Sequence, residues 1–166
     1  MAELELTRSK DDRRRYELAG VGSLRLEGWM SRAATAEADG RSWRLGRRGV
    51  LRAVVEATDA AGTPVGRFMA GGLRRGGTLS WGDRTLQLRP ASFWRERYAL
   101  ADGEHELALF DGKGWGKRPV KITVEDPAAV DPALLLFTAY VVRGLAEDAN
   151  AAAGGAAAAG AAAASS

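Results

Sequence analysis

The fold class this sequence predicts is mainly β: a closed antiparallel barrel of around ten or more strands enclosing a hydrophobic C-terminal α-helix. Two observations carry that prediction. Short segments of alternating apolar and polar residues, punctuated by glycine turns, recur from the twenties to about residue 125. They are followed by a run that is apolar on every side, ALLLFTAYVV at 133–142. Leu134, Leu135, Leu136 and Phe137 are consecutive, so at ~100° per residue they surround one helical turn. A helix apolar all round is buried all round or lies in lipid. This one falls well short of the ~20 residues needed to span a bilayer, so the chain's own sheet is its burial site.

Residues 1–15 read as a charged lead ahead of the domain at 16–148. Turn signals then follow one another: ADG at 38–40, DAAG at 59–62, GG at 71–72 and 76–77, WGD at 81–83, ADG at 101–103 and DG at 111–112. Glycine supplies the positive φ that tight hairpin turns need, and Asp tolerates it. Between turns the period is two. Leu24 and Leu26, Leu86 and Leu88, Leu107 and Leu109, and Val120, Ile122 and Val124 each alternate with polar or small neighbours. Strands are expected near 23–36, 41–46, 51–59, 64–70, 77–81, 84–90, 94–100, 104–110 and 118–125. A weak echo between ADGRSWRLGRRGVLRAVVEATD from 38 and ADGEHELALFDGKGWGKRPVKITVED from 101 fits either a duplicated hairpin unit or two ordinary hairpins.

The period changes at Asp131-Pro132. Asp can cap the first free amides of a helix, and Pro is tolerated at the first helical position. The central helix is expected over about 132–146, with Arg143 favourable to the C-terminal dipole and Gly144 a possible break. Beyond it, residues 149–166 are Asn, Ala, Gly and Ser only. They can bury almost nothing against the entropy of ordering, and read as a dispensable, disordered tail. Strands with one apolar face need a partner, and closure removes the exposed edges. A barrel of that size has a lumen too wide for its own side chains, and the helix is the object that fills it.

Composition narrows the chemistry. With Cys at 0 there is no disulfide, thiol nucleophile or thiolate metal site, and the single histidine, His105, rules out a multi-histidine site within one chain. The charged N-terminus has no apolar segment of the secretory kind, so an intracellular, cytoplasmic location is expected. Net charge is +3, distributed unevenly: residues 41–97 hold twelve Arg and four acids, a net of +8, against −1 for 1–40 and −4 for 98–148. Arginine suits bidentate contact with phosphate or carboxylate, and it is also a plain solubilising cation.

Other constellations are weaker. His105 has Asp102, Glu104 and Glu106 nearby but no nucleophile–base motif, and reads as a rim or half-buried histidine held by a carboxylate. DGKGWGKR at 111–118 could cradle an anion, but a strand rather than a helix follows it, so it reads as a long turn. Asp102 with Glu104, and Glu125 with Asp126, fall short of a calcium loop, and no metal or cofactor is expected. Trp29, Trp43, Trp81, Trp94 and Trp115 read as strand-packing residues rather than as a nucleic-acid stacking platform.

The hairpins with ADG turns, the WRL-x-RRG-x-LR segment from Trp43 to Arg52, the F-W-R-E-x-Y strand from Phe93 to Tyr98 and the closing acid–Pro–apolar helix together resemble the tubby C-terminal-like superfamily. That group includes tubby-like proteins, phospholipid scramblases and LURP-one-related proteins, and the chain is similar to its small bacterial-type members. The resemblance implies a closed barrel of about twelve strands threaded by a hydrophobic helix, so ten to twelve strands are expected in all. Tubby-like proteins bind phosphoinositides through a basic pocket, and no residue motif here matches that pocket. The scramblases' cysteine-rich palmitoylated segment has no counterpart, and their acidic calcium-binding stretch is not evident.

Two functional readings follow. The first is a non-enzymatic binding module that meets anionic phospholipid headgroups, or another polyanion, at the membrane's inner face. Its contact residues would be Arg44, Arg47, Arg48 and Arg52 about one hairpin and Arg74 and Arg75 in another turn. Nucleic acid is the less favoured polyanion, since no stacking platform accompanies the arginines. The alternative is a hydrolase or transferase with its site at a barrel mouth near His105. The absence of a nucleophile–base motif favours the first.

Overall fold

The computed structural model describes residues 1–28, 33–48, 54–71, 76–92, 96–112 and 120–163, with side chains as far as Gly154. Twelve strands close an antiparallel barrel: β1 (Ala2–Arg8), β2 (Arg15–Leu18), β3 (Gly22–Leu26), β4 (Ala33–Ala38), β5 (Arg41–Arg48), β6 (Val54–Asp59), β7 (Pro64–Ala70), β8 (Gly77–Trp81), β9 (Arg84–Pro90), β10 (Arg97–Asp102), β11 (His105–Asp111) and β12 (Val120–Val124). One helix follows, α1 (Pro132–Ala163). Each strand pairs with its sequence neighbours, and β1 closes the ring against β12. The fold class is the one expected.

Twelve strands fall within the ten to twelve expected, three more than the nine placed individually. Residues 2–8 are not a free lead but β1, whose Leu4 and Leu6 alternate with Glu3 and Glu5 and pair with Ile122 and Val120. Two apolar positions are a faint signal, but they suffice where a gap in the ring would leave ladder groups unpaired. On the outside of this seam Lys121 Nζ meets Glu3 Oε1 at 2.8 Å. That contact holds the Glu3 carboxyl below its ordinary range and the Lys121 ammonium above it. The short β2 went unread, and the span 23–36 divides into β3 and β4. The hairpins of the sequence echo lie six strands apart, on opposite sides of the ring.

Inward positions are apolar all the way round. Leu24, Leu45, Phe68, Leu79, Leu86, Leu100, Phe110 and Ile122 are fully buried, as are Leu134, Leu136, Phe137 and Val142 of the helix. Each such side chain contributes roughly 1.5–3 kcal/mol relative to exposure. The helix lies against β3, β4, β5 and β7, where the wall is thinned by Ala34, Ala36 and Ala38. A Cβ on Gly22 would collide with the Glu37 carbonyl and come within 3.0 Å of Leu136 Cδ1, so only glycine lets β3 pass this close. Gly66 plays the same part under Trp81, whose ring would stand 2.5 Å from an added Cβ.

One alternation is corrected. A bulge where Leu100 faces Ala108 but Ala101 faces Glu106 leaves Leu107 as an extra residue on β11. Past the bulge the inward residues are Ala108 and Phe110, and Leu109 is only partly buried. An extra residue reverses the faces of a period-two pattern, so Leu107 and Leu109 do not share the inner face.

Asp131 starts the helix as expected. Its Oδ1 accepts from the Ala133 amide at 2.9 Å, and its carbonyl accepts from the Leu135 amide at 3.1 Å. Its Oδ2 accepts from Trp81 Nε1 at 2.9 Å, and the Trp81 ring lies 5.4 Å from that of Phe137. One carboxylate therefore caps the helix and ties β8 to it. The helix does not stop near Ala146: it runs through Gly144 to Ala163, across residues expected to be a disordered tail. Propagating an existing helix lacks the cost of nucleating one, and alanine is the best helix former. Arg143 Nε donates to Glu147 Oε1 at 2.8 Å one turn on, rather than marking a terminus. Among the described residues, no helix is long and apolar enough to cross a membrane.

Candidate functional site: the two ends of the barrel

Antiparallel pairing sorts the connections into two sets. One end has tight links at 19–21, 39–40, 60–63, 82–83 and 103–104, together with the 125–131 segment that leads into the helix. The other end has the longer links at 9–14, 27–32, 49–53, 71–76, 91–96 and 112–119, and there the helix leaves the lumen. In sequence the tight-turn connections contain six acids (Asp39, Asp83, Glu104, Glu125, Asp126 and Asp131) and no Lys or Arg. The long connections contain eleven Lys and Arg against four acids. Eight of those eleven cations lie outside the described residues, so the asymmetry is one of the sequence assigned to each set of connections.

The six candidate arginines divide. Arg52, Arg74 and Arg75 lie outside the described residues, as do Trp29, Trp94, Trp115 and most of the 111–118 segment. The other three are on β5, and each meets a carboxylate: Arg44 Nη2 is 3.3 Å from Glu27 Oε2, and Arg48 Nε is 3.0 Å from Glu56 Oε2. Arg47 makes a bidentate pair with Asp148 of the helix, Nη1–Oδ1 2.9 Å and Nη2–Oδ2 2.6 Å. The Asp148 contact raises the Arg47 guanidinium further above its already high range. Arg47 thus fastens β5 to the helix where it emerges, and is three-quarters buried there, with 22% of its side chain exposed. Asp148 lies a hundred and one residues from Arg47, so the charge block alone gave no sign of that pair.

Three further described cations lie in the connections of that end. Lys10, Arg13 and Arg14, in the β1–β2 connection, are exposed; none of them makes an ion pair with a carboxylate among the described residues, though the Arg14 charge acts on Asp12. Asp12 beside them is occupied otherwise. It accepts from the Arg14 amide at 2.9 Å and from Arg25 Nε at 3.0 Å. The amide bond first, and the Arg25 charge after it, hold its carboxyl below the ordinary range. No sequence motif marks these three, which sit in the segment read as a lead.

His105 opens β11 at the acidic end. Its Nε2 stands 3.4 Å from Glu125 Oε2, with 65% of the side chain exposed. It is an exposed histidine beside a carboxylate on the barrel's outside, not at the bottom of a mouth. The described groove is elsewhere, a shallow open depression of about 780 Å³ between the 19–21 and 39–40 turns. Trp43 and Trp81 are buried inward, at 6% and 9% exposure, as packing residues should be. Set beside protein-family models, curated proteins and solved structures, the chain matches none of them.

Proposed function

We propose that the protein is a non-enzymatic binding module whose long-connection end docks on an anionic surface, with phospholipid headgroups as the partner. The observation that supports this reading is how the sequence distributes charge over the alternate connections: eleven cations and four acids in the long ones, six acids and no cation in the tight ones. Such a distribution orients the molecule in the field of an anionic surface, with attraction that salt screens over about 10 Å at 0.1 M. The likeness of residue pattern to tubby-like proteins points the same way. The contact residues differ from those the charge block singles out. Arg44, Arg47 and Arg48 are engaged with carboxylates, so the binding charge falls to the connections, including Lys10, Arg13, Arg14, Arg74 and Arg75.

Co-sedimentation with vesicles of mixed phosphatidylserine and phosphatidylcholine, titrated with salt, tests the reading. The wild-type chain should sediment at low salt and be released by about 0.3 M salt. Changing Lys10, Arg13, Arg14, Arg74 and Arg75 to Gln should abolish sedimentation without lowering the melting temperature. Changing Arg44 and Arg48 to Gln should leave it within about twofold. Wild-type protein that ignores these vesicles at low salt sinks the proposal, as does displacement by nucleic acid at far lower charge concentration than by added lipid.

A further inference from the structure

Where the helix leaves the barrel, two arginines meet two carboxylates of the chain itself. Arg47 falls on the inward register of β5, after Trp43 and Leu45, so its guanidinium faces the helix. Tyr140, Arg143 and Glu147 stand at i, i+3 and i+7 and share one helical face. Arg143 is about as buried as Arg47, and both its Nε and its Nη2 lie 2.8 Å from Glu147 Oε1. The charges of Arg143, Glu147 and Arg47 all act on the Tyr140 phenol, so the four groups are neighbours. The pairing is incomplete. Asp148 has two side-chain oxygens, and Nη1 and Nη2 of Arg47 take both. The Arg47 Nε is buried with no acceptor among the described residues. A buried N–H without a partner forgoes a hydrogen bond it makes in water.

Gly144 separates donors from acceptors along the helix: Tyr140 and Arg143 precede it, Glu147 and Asp148 follow it. Glycine is the poorest helix former after proline, and a Cβ added here meets nothing within 4 Å, so packing does not require it. The two carboxylates are the more solvated members, each with at least half of its side chain exposed. Opening the helix past Gly144 carries them away and leaves two largely buried guanidiniums without counter-charge. A phosphate or small phosphomonoester, at about −1.5 to −2 and with three acceptor oxygens, matches both the charge and the N–H that a carboxylate leaves out. The Tyr140 phenol, pushed up to about 12 by burial, stays neutral beside it. We infer that the barrel mouth around Arg47 and Arg143 is a phosphate site that Glu147 and Asp148 hold closed, and that the helix beyond Gly144 is its gate. This site does not depend on the docking reading, whose cations lie in the connections.

Titration of the ¹⁵N-labelled full chain with inorganic phosphate, with sodium chloride as the control, tests the site. The Arg47 and Arg143 Nε–Hε resonances should shift saturably with a roughly millimolar Kd, and amide exchange from Leu145 to Asn150 should quicken. Asp148→Asn, which removes the competing charge, should tighten binding about tenfold. Gly144→Ala, which favours the closed helix, should weaken it about fivefold without lowering the melting temperature, and Arg47→Gln should abolish it. Glycerol 3-phosphate shifting the same resonances assigns a soluble ligand, whereas quickened exchange confined to vesicles containing phosphatidic acid assigns a lipid headgroup. The inference is overturned by no response to any of these phosphates, by equal shifts from chloride, or by Asp148→Asn and Gly144→Ala binding like wild type.

Discussion

Between Pro132 and Ala146 the helix is sheathed by the barrel, with Leu134, Leu136, Phe137 and Val142 reduced to no exposure. From Glu147 onward it runs outside, and Glu147, Asp148 and Ala151 to Gly154 are exposed. The backbone is continuous, yet different forces hold the two parts. The inner part is stabilised by burial, which is why it can afford consecutive leucines that no half-wet helix tolerates. The outer part has no core to join, and rests on alanine propensity and on a helix already nucleated beneath it. At ~1.5 Å per residue the seventeen residues from Glu147 to Ala163 make about 25 Å of helix. The Arg47–Asp148 pair marks the changeover.

The largest expected effect breaks the inner part. Leu135→Asp places an unpaired charge at a position only 2% exposed, at a cost of about 4 kcal/mol or more. The variant should give no soluble folded protein, and a soluble form with an unchanged melting temperature would overturn the enclosed helix. Next comes the helix start. Asp131→Ala removes both the cap and the Trp81 acceptor, for about 2 kcal/mol. The melting temperature should drop by roughly 5 °C, with a changed near-ultraviolet signal from Trp81. Asp131→Asn, which retains an acceptor for the amide, should recover part of the loss.

A smaller effect appears only in alkali. Burial pushes the Tyr140 phenol up to about 12, above the ordinary value near 10. Because the folded value is the higher one, the neutral phenol's contribution is fully present below about pH 10 and is lost as pH rises toward 12. Chemical denaturation at pH 8 and 11.5 should show that loss, and Tyr140→Phe should reduce it. A wild-type curve equally flat would place Tyr140 in water. The smallest effect is expected outside. Truncation after Asp148 should change the melting temperature by no more than about 1 °C, since the exposed extension has nothing to pack on. A fall of several degrees would show that the outer part docks and is not the mere continuation this comparison makes it.

How legible these features were in the sequence varied with how local their causes are. The helix start was plain, because Asp131, Pro132 and the apolar run after them are adjacent. The turns were plain too, since Gly40, Gly62, Gly82 and Gly103 take the positive φ that their dipeptides announce. The helix end was misjudged, because a glycine such as Gly144 ends a helix only where caps and solvent cooperate. β1 was missed because two leucines among charges look like a lead until a twelfth position in the ring needs filling. The arginine cluster was legible as charge and not as chemistry: Glu56 lies eight residues from Arg48, but Asp148 is a hundred and one residues from Arg47.

By itself, the sequence determined a closed antiparallel barrel around a buried C-terminal helix. Period-two strands and an all-apolar helical run are patterns within a dozen residues, and burying both leaves one arrangement. Only the tertiary structure decided which faces meet. The bulge at Leu107, the closure of β1 on β12, the carboxylates that occupy Arg44, Arg47 and Arg48, and the groove between the 19–21 and 39–40 turns all depend on register between separate strands. Register is set by cross-strand packing around the whole ring, and no segment contains that information alone.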